Sequence, residues 1–196
     1  MAISNYDELR VAISEYARRE GDPTFPIDNF ISLAEADFRP FIKHYMGEKI
    51  ETISDVTDYV TFPNDMVAPR ALRVGNVTPT QVSPYTPSIY PSQIGYFQEG
   101  NGYRLLREDY KPVNATLIYH ASVPALSPAN PTNWLIARFP QVYLSGALIY
   151  AHRWLDDVEA EQLEKQSLAE ALGRVDEDNR NMQRGGNAII TEGVQW

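Results

Sequence analysis

No cysteine occurs in the 196 residues. That excludes a disulfide framework, a thiolate nucleophile and a cysteine-based metal cluster together. Positive charge is also scarce: Lys and Arg total 17 against 26 Asp and Glu, a net charge of −9. The chain lacks the basic footprint that grips a phosphate backbone and would repel one instead. No apolar run approaches the ~18 residues of a membrane span. The opening MAISNYDELR has no apolar signal core. The expectation is a soluble, untargeted protein with no membrane partner.

The patterns of catalysis are missing as well. His44, His120 and His152 fall on three different elements with no ligand spacing between any pair, so they read as surface or partly buried side chains. Gly100-Asn101-Gly102 lacks the lysine, third glycine and following helix of a phosphate loop. There is no G-x-S-x-G elbow. Asp176-Glu177-Asp178 begins like a calcium loop, but Arg180 replaces an oxygen ligand and Asn181 the required glycine. This run and Asp156-Asp157 read as helix-end and solvated-face charge. The sequence is expected to be no enzyme and to need no cofactor or metal.

What is present begins with hydrophobic content of 43%, enough for one domain or a domain carrying an inserted subdomain. The chain is organised around Ser127–Trp154. Asn130, Thr132 and Asn133 are turn and cap residues, with Pro128 and Pro131 bending the approach. Trp134, Leu135, Ile136 and Phe139 form an apolar cluster, and Pro140 suits a first helical turn. Val142, Tyr143, Gly146, Ala147, Ile149, Tyr150 and Trp154 then run around most of a helix, the mark of a buried one. Trp134 is expected to plug its entrance as a buried anchor, with Asn130, Pro131 and Tyr143 as further structural anchors.

The N-terminal part predicts two helices. The first starts at a capping box of Ser4 and Asp7 and carries Leu9, Ala12, Ile13, Tyr16 and Ala17 at helical spacing. The second starts near Pro26, presents Phe30, Leu33, Ala34, Phe38, Phe41, Ile42 and Tyr45, is kinked by Pro40 near Ala36 and closes at Gly47. From Glu48 the period becomes alternating. Strands are expected at 59–62, 71–74 and 115–121, with a hairpin of 94–98 and 103–106 around Gly100. The segment 83–92 holds three prolines and reads as a loop. Tyr85, Tyr90, Tyr96, Tyr103, Tyr110 and Tyr119 could line a carbohydrate-binding face, a half-buried sheet or an assembly interface. A surface helix follows from about Asp156, with a stripe of Leu163, Leu168, Ala171, Leu172 and Val175, stopped by Gly185-Gly186.

The fold class is therefore α+β. The N- and C-terminal helix pairs (1–47 and 125–186) form a four-helix bundle, an antiparallel β subdomain (48–124) is inserted, and a C-terminal tail (187–196) extends from it. Ile189, Ile190, Val194 and Trp196 cannot make a core of their own, so the tail is expected to dock on another protein. Ile189-Ile190-Thr191 has the β propensity to add a strand to a partner sheet.

In this order the pieces resemble the adaptor proteins of tailed-phage head-to-tail connectors, including the podophage tail-tubular protein A family. The resemblance covers nearly the whole chain. It is strongest in the N-P-T-N-W-L turn before P-Q-V-Y-L-S-G-A-L, followed by an acidic helix ending RVDEDNRNMQRGG. YDELRVAI, FISLAEADF, YVTFPNDMV and the Gly100 hairpin are similar too. The resemblance implies a non-enzymatic virion protein of the neck or connector, assembled in the host cytoplasm. Copies would form a ring, usually of twelve, under the portal protein and joined to the next neck or tail protein. DNA would pass through the lumen without specific binding. The tail would dock on the portal. Two other classes stay open on the residues alone: another neck or tail module, such as a head-completion or tail-terminator protein, and a glycan-binding module or hydrolase built on the tyrosine-rich insert.

Overall fold

The structure, a computed structural model, describes residues 3–86, 93–109 and 111–187, the last three without their side chains. The chain divides into two compact units. One is the chain up to Met46 together with Val123 onward; the other is Gly47–Ser122.

Helix α1, Tyr6–Tyr16, is capped by Asn5, whose side chain accepts the Glu8 N–H. The Glu8 carboxylate reaches back to the backbone and hydroxyl of Ser4. The capping box is thus one residue later than Ser4–Asp7, because Glu8 is long enough to span the turn and Asp7 is not. Helix α2, Ile27–Phe38, buries Phe30, Ile31, Ala34, Glu35 and Phe38. It stops before Pro40 instead of kinking through it. Pro40 has no N–H to offer the Ala36 carbonyl, and its ring would strike that oxygen. Phe41 consequently leaves the helix face and is 79% exposed, and Tyr45–Gly47 is a single 3-10 turn.

The expected central helix begins at its proline, and a short separate helix precedes it. Helix α3, Trp134–Arg138, is capped by the Asn133 side chain on the Ile136 N–H. Phe139 then leaves helical space at φ −132, ψ 58, and α4, Pro140–Trp154, begins at the proline. The residue before a proline disfavours αR, which sets the break. Helix α4 buries Val142 to Ile149 without interruption, and Ala151. It is buried all round because it packs against α1, α2, α3 and α5. Gly146 permits the crossing of α2: a Cβ there would lie 3.2 Å from Ala34 Cβ.

Helix α5, Val158–Asn187, starts under Asp157, whose carboxylate accepts the Ala160 N–H. It runs on through Gly185 and Gly186, which were expected to end it. A glycine in a helix costs only ~1 kcal/mol, which is not by itself a stop signal. Ala171 and Val175 are its buried residues in the core, with Leu168 and Leu172 packed beside them. Leu163 is on the other side, 62% exposed.

Among its described residues the second unit has seven strands: β1 Glu48–Val56, β2 Tyr59–Thr61, β3 Met66–Val74, β4 Thr80–Gln81, β5 Gly95–Gln98, β6 Gly102–Leu106 and β7 Val113–Ala121. One sheet has the order β1-β7-β3 and is antiparallel; the other has the order β2-β6-β5-β4. The pair β4–β5 is parallel, against an all-antiparallel expectation. The long connection over 82–94 allows that direction, which no tight turn could. The β5–β6 hairpin closes at Gly100, φ 57, with the Glu99 N–H donating to the Gly102 carbonyl. Alternate residues Ala115, Leu117, Tyr119 and Ala121 of β7 join Val60, Phe62, Leu72, Val74, Tyr103 and Leu105 in one core. No helix among the described residues is long and apolar enough to cross a membrane.

Candidate functional site

The segment between β7 and α4 carries Asn130, Pro131 and Trp134 of the anchor residues named from sequence, Tyr143 lies on α4, and each makes a distinct contact. Pro131 is exposed, but its carbonyl accepts the N–H of Tyr6, the first residue of α1, at 2.8 Å. That group would otherwise be an orphan donor. Asn130 donates from its side chain to the Ala125 carbonyl at 2.7 Å and from its backbone to Ser127. Asn133, not singled out in sequence beyond its capping type, does most. Besides capping α3, it donates to the Pro124 carbonyl and to the Tyr143 hydroxyl.

Tyr143 has no exposed surface. Its ring meets Phe38 edge-on at 5.1 Å, and its hydroxyl donates to Glu35 Oε1 at 3.1 Å. The same oxygen accepts the Leu126 N–H at 2.8 Å. Glu35 is a buried carboxylate, 4% exposed. Desolvation pushes its pKa up, against the lowering effect of the Leu126 and Tyr143 hydrogen bonds and of Arg39. Burial and the nearby Glu35 charge push the Tyr143 hydroxyl up. Arg39 donates to the Val123 carbonyl at 2.6 Å, so α2 holds this segment at two points.

Trp134 is half-buried rather than buried. At the first position of α3 it lies at the edge of the core, while Leu135 and Ile136 are fully enclosed. Its ring stacks on His44 at 4.8 Å and 15°. His44 is buried, bonds Asp178 of α5 through Nε2 at 3.0 Å and accepts the Met46 N–H at Nδ1. Arg138 donates to the other Asp178 oxygen at 2.5 Å. Desolvation lowers the His44 pKa. Burial would raise that of Asp178, but hydrogen bonds from Arg138 and His44 outweigh it and hold the group below the ordinary range. Asp178 is therefore a pin between α5, α3 and the stretch after α2, not a solvated-face charge. The next residue repeats the contact: Asn179 accepts the Tyr45 N–H and donates to the Lys43 carbonyl.

The described tyrosines of the β unit differ in burial. Tyr103 and Tyr119 are buried, Tyr96 packs edge-on against Tyr103 at 4.8 Å, and Tyr85 is 93% exposed. Tyr90, Tyr110 and residues 87–92 of the proline-rich loop lie outside the described residues, as do Ile189, Ile190, Val194 and Trp196 of the tail. Among the described residues no three His, Cys, Asp or Glu come together as metal ligands. Phe41, Tyr85, Ile50 and Trp154 are large apolar side chains left at least half exposed.

The hydrogen-bonding groups described so far tie distant parts of an α+β chain together. The family model described as SU10 adaptor protein matches residues 4–189, and the chain belongs to that family of phage adaptors. It is accordingly a structural protein of the phage virion that binds other phage structural proteins. No curated protein matches it.

Proposed function

We propose that this adaptor forms a ring, of twelve copies, beneath the portal and joins the portal to the next neck or tail component. The observation that carries the reading is the family match over nearly the whole chain. In this reading the helical unit serves as a four-helix bundle of the long helices, and the relation to the podophage tail-tubular protein A family is one of shared role. The protein acts by assembly, without catalysis, cofactor or metal. The net charge of −9 supports an acidic lumen past which DNA slides, with at most weak, salt-dependent affinity.

The tail from 187 to 196 is the proposed portal contact, with Ile189, Ile190, Val194 and Trp196 as apolar anchors. The experiment compares the full chain with one lacking 187–196 in folding and in portal binding. The truncated protein is expected to stay folded and to lose the portal. Unchanged portal affinity would remove the tail from the proposal, and a full chain that fails to bind the portal would overturn the proposal itself.

A further inference from the structure

A cavity of about 300 Å3 in the β unit is lined by Val77, Gln93, Ile94, Arg107, Glu108 and Asp109. The Arg107 side chain is only 8% exposed. Its Nη2 donates to Asp109 Oδ1 at 2.6 Å, and that oxygen also accepts the Lys111 N–H. Its Nη1 is buried with no hydrogen-bond partner. Buried donors are almost always paired, so an orphaned one beside a cavity calls for an acceptor from outside.

We propose that this cavity receives an uncharged carbonyl group carried by a peptide with an aliphatic side chain. Charge selects the acceptor. Asp109 and Glu108 match the charges of Arg107 and of Lys111, whose Nζ lies 3.9 Å from Asp109 Oδ2, so an incoming carboxylate or phosphate would meet two like charges and no net positive charge. A peptide carbonyl brings the missing acceptor without that repulsion. Val77 and Ile94 supply the aliphatic wall. Nη1 is shut off from water, so the occupant reaches it by displacing the rim, where Gln93 and Glu108 are exposed. The proposal does not depend on the ring or the portal. The adaptor reading adds only that the peptide belongs to a neighbouring structural protein.

The test is an NMR titration of the full chain, labelled at isoleucine and valine methyls and arginine guanidinium groups. The probes are N-acetylvaline methylamide, N-acetylvaline and inorganic phosphate. The methylamide is expected to give saturable shifts at Ile94, Val77 and Arg107. N-acetylvaline and phosphate are expected to bind roughly tenfold more weakly or less, as like-charge contacts dictate. Arg107→Met should abolish the response. Val77→Phe, which fills the cavity and leaves Arg107 in place, should abolish the Ile94 and Arg107 shifts too and decides the matter if Arg107→Met does not fold. No saturable methylamide response, a response surviving Val77→Phe, or tighter binding of N-acetylvaline or phosphate would each overturn the proposal.

Discussion

Tyr143 and Glu35, 108 positions apart in the chain, meet hydroxyl to carboxylate at 3.1 Å in a buried site. Both hydrogen bonds that Glu35 accepts there land on Oε1, so a glutamine can keep them. Because burial raises the Glu35 pKa, the folded state favours its protonated form. This contribution to stability is full below the ordinary carboxylate value of ~4.3 and is lost as pH rises through the raised one. Glu35→Gln is therefore expected to be at least as stable as the parent at pH 7 and to lose that advantage near pH 4. Glu35→Ala strands the Leu126 N–H and the Tyr143 hydroxyl, at ~1–3 kcal/mol each. Thermal melts at the two pH values check this; equal losses in both variants at pH 7 would contradict it.

His44 gives the opposite sign. Its folded pKa is lowered, so the unfolded chain takes up a proton that the folded chain refuses. The stability it contributes is present above the ordinary value of ~6.5 and falls as pH drops from there through the folded value, by at most ~1.4 kcal/mol per pH unit. Urea unfolding across pH 7 to 5 should show this slope, and His44→Asn should flatten it. A slope unchanged in the variant would assign the acid sensitivity elsewhere.

Two glycines should respond in opposite directions. A Cβ on Gly102 would overlap the Val60 carbonyl oxygen and the Tyr59 ring, whereas Gly173, on α5, has nothing within 4 Å of that position. Gly102→Ala is expected to destabilise by ~1–3 kcal/mol through overpacking. Gly173→Ala should stabilise by ~0.5–1 kcal/mol through helix propensity and a less flexible unfolded chain. Melting temperatures moving in the same direction would refute the pair.

Trp134 is half-buried and Ile136 fully enclosed, and truncation should rank them accordingly. Ile136→Ala is expected to cost ~2–5 kcal/mol, the range for enclosed aliphatics. Trp134→Ala should fall below the ~3–5 kcal/mol of a buried tryptophan. Chemical denaturation in which Trp134→Ala is the worse of the two would reverse this view of α3.

Elements whose cause is local were legible in the sequence. The Gly100 hairpin, the alternation in β7 and the all-round apolar surface of α4 follow from neighbouring residues alone. The errors arise where proline rules compete or where the partner is distant. Pro40 suggests a kink in the sequence and is a stop in the fold. On α2 the expected face included Leu33, which is 46% exposed, and omitted Glu35, which is buried. No helical periodicity reveals that a carboxylate is needed inside to satisfy Leu126 and Tyr143. The His44–Asp178 contact spans 134 positions, and nothing near either residue announces it. The cavity at Arg107 depends on burial, which a sequence does not display.

The central claim is that this chain is a ring-forming adaptor on the portal. Electron microscopy of the full-length protein mixed with its portal tests it most directly. The account predicts a second, coaxial ring of twelve copies with an open lumen against one face of the portal. Portal rings that stay bare, with the added protein remaining monomeric, would contradict it.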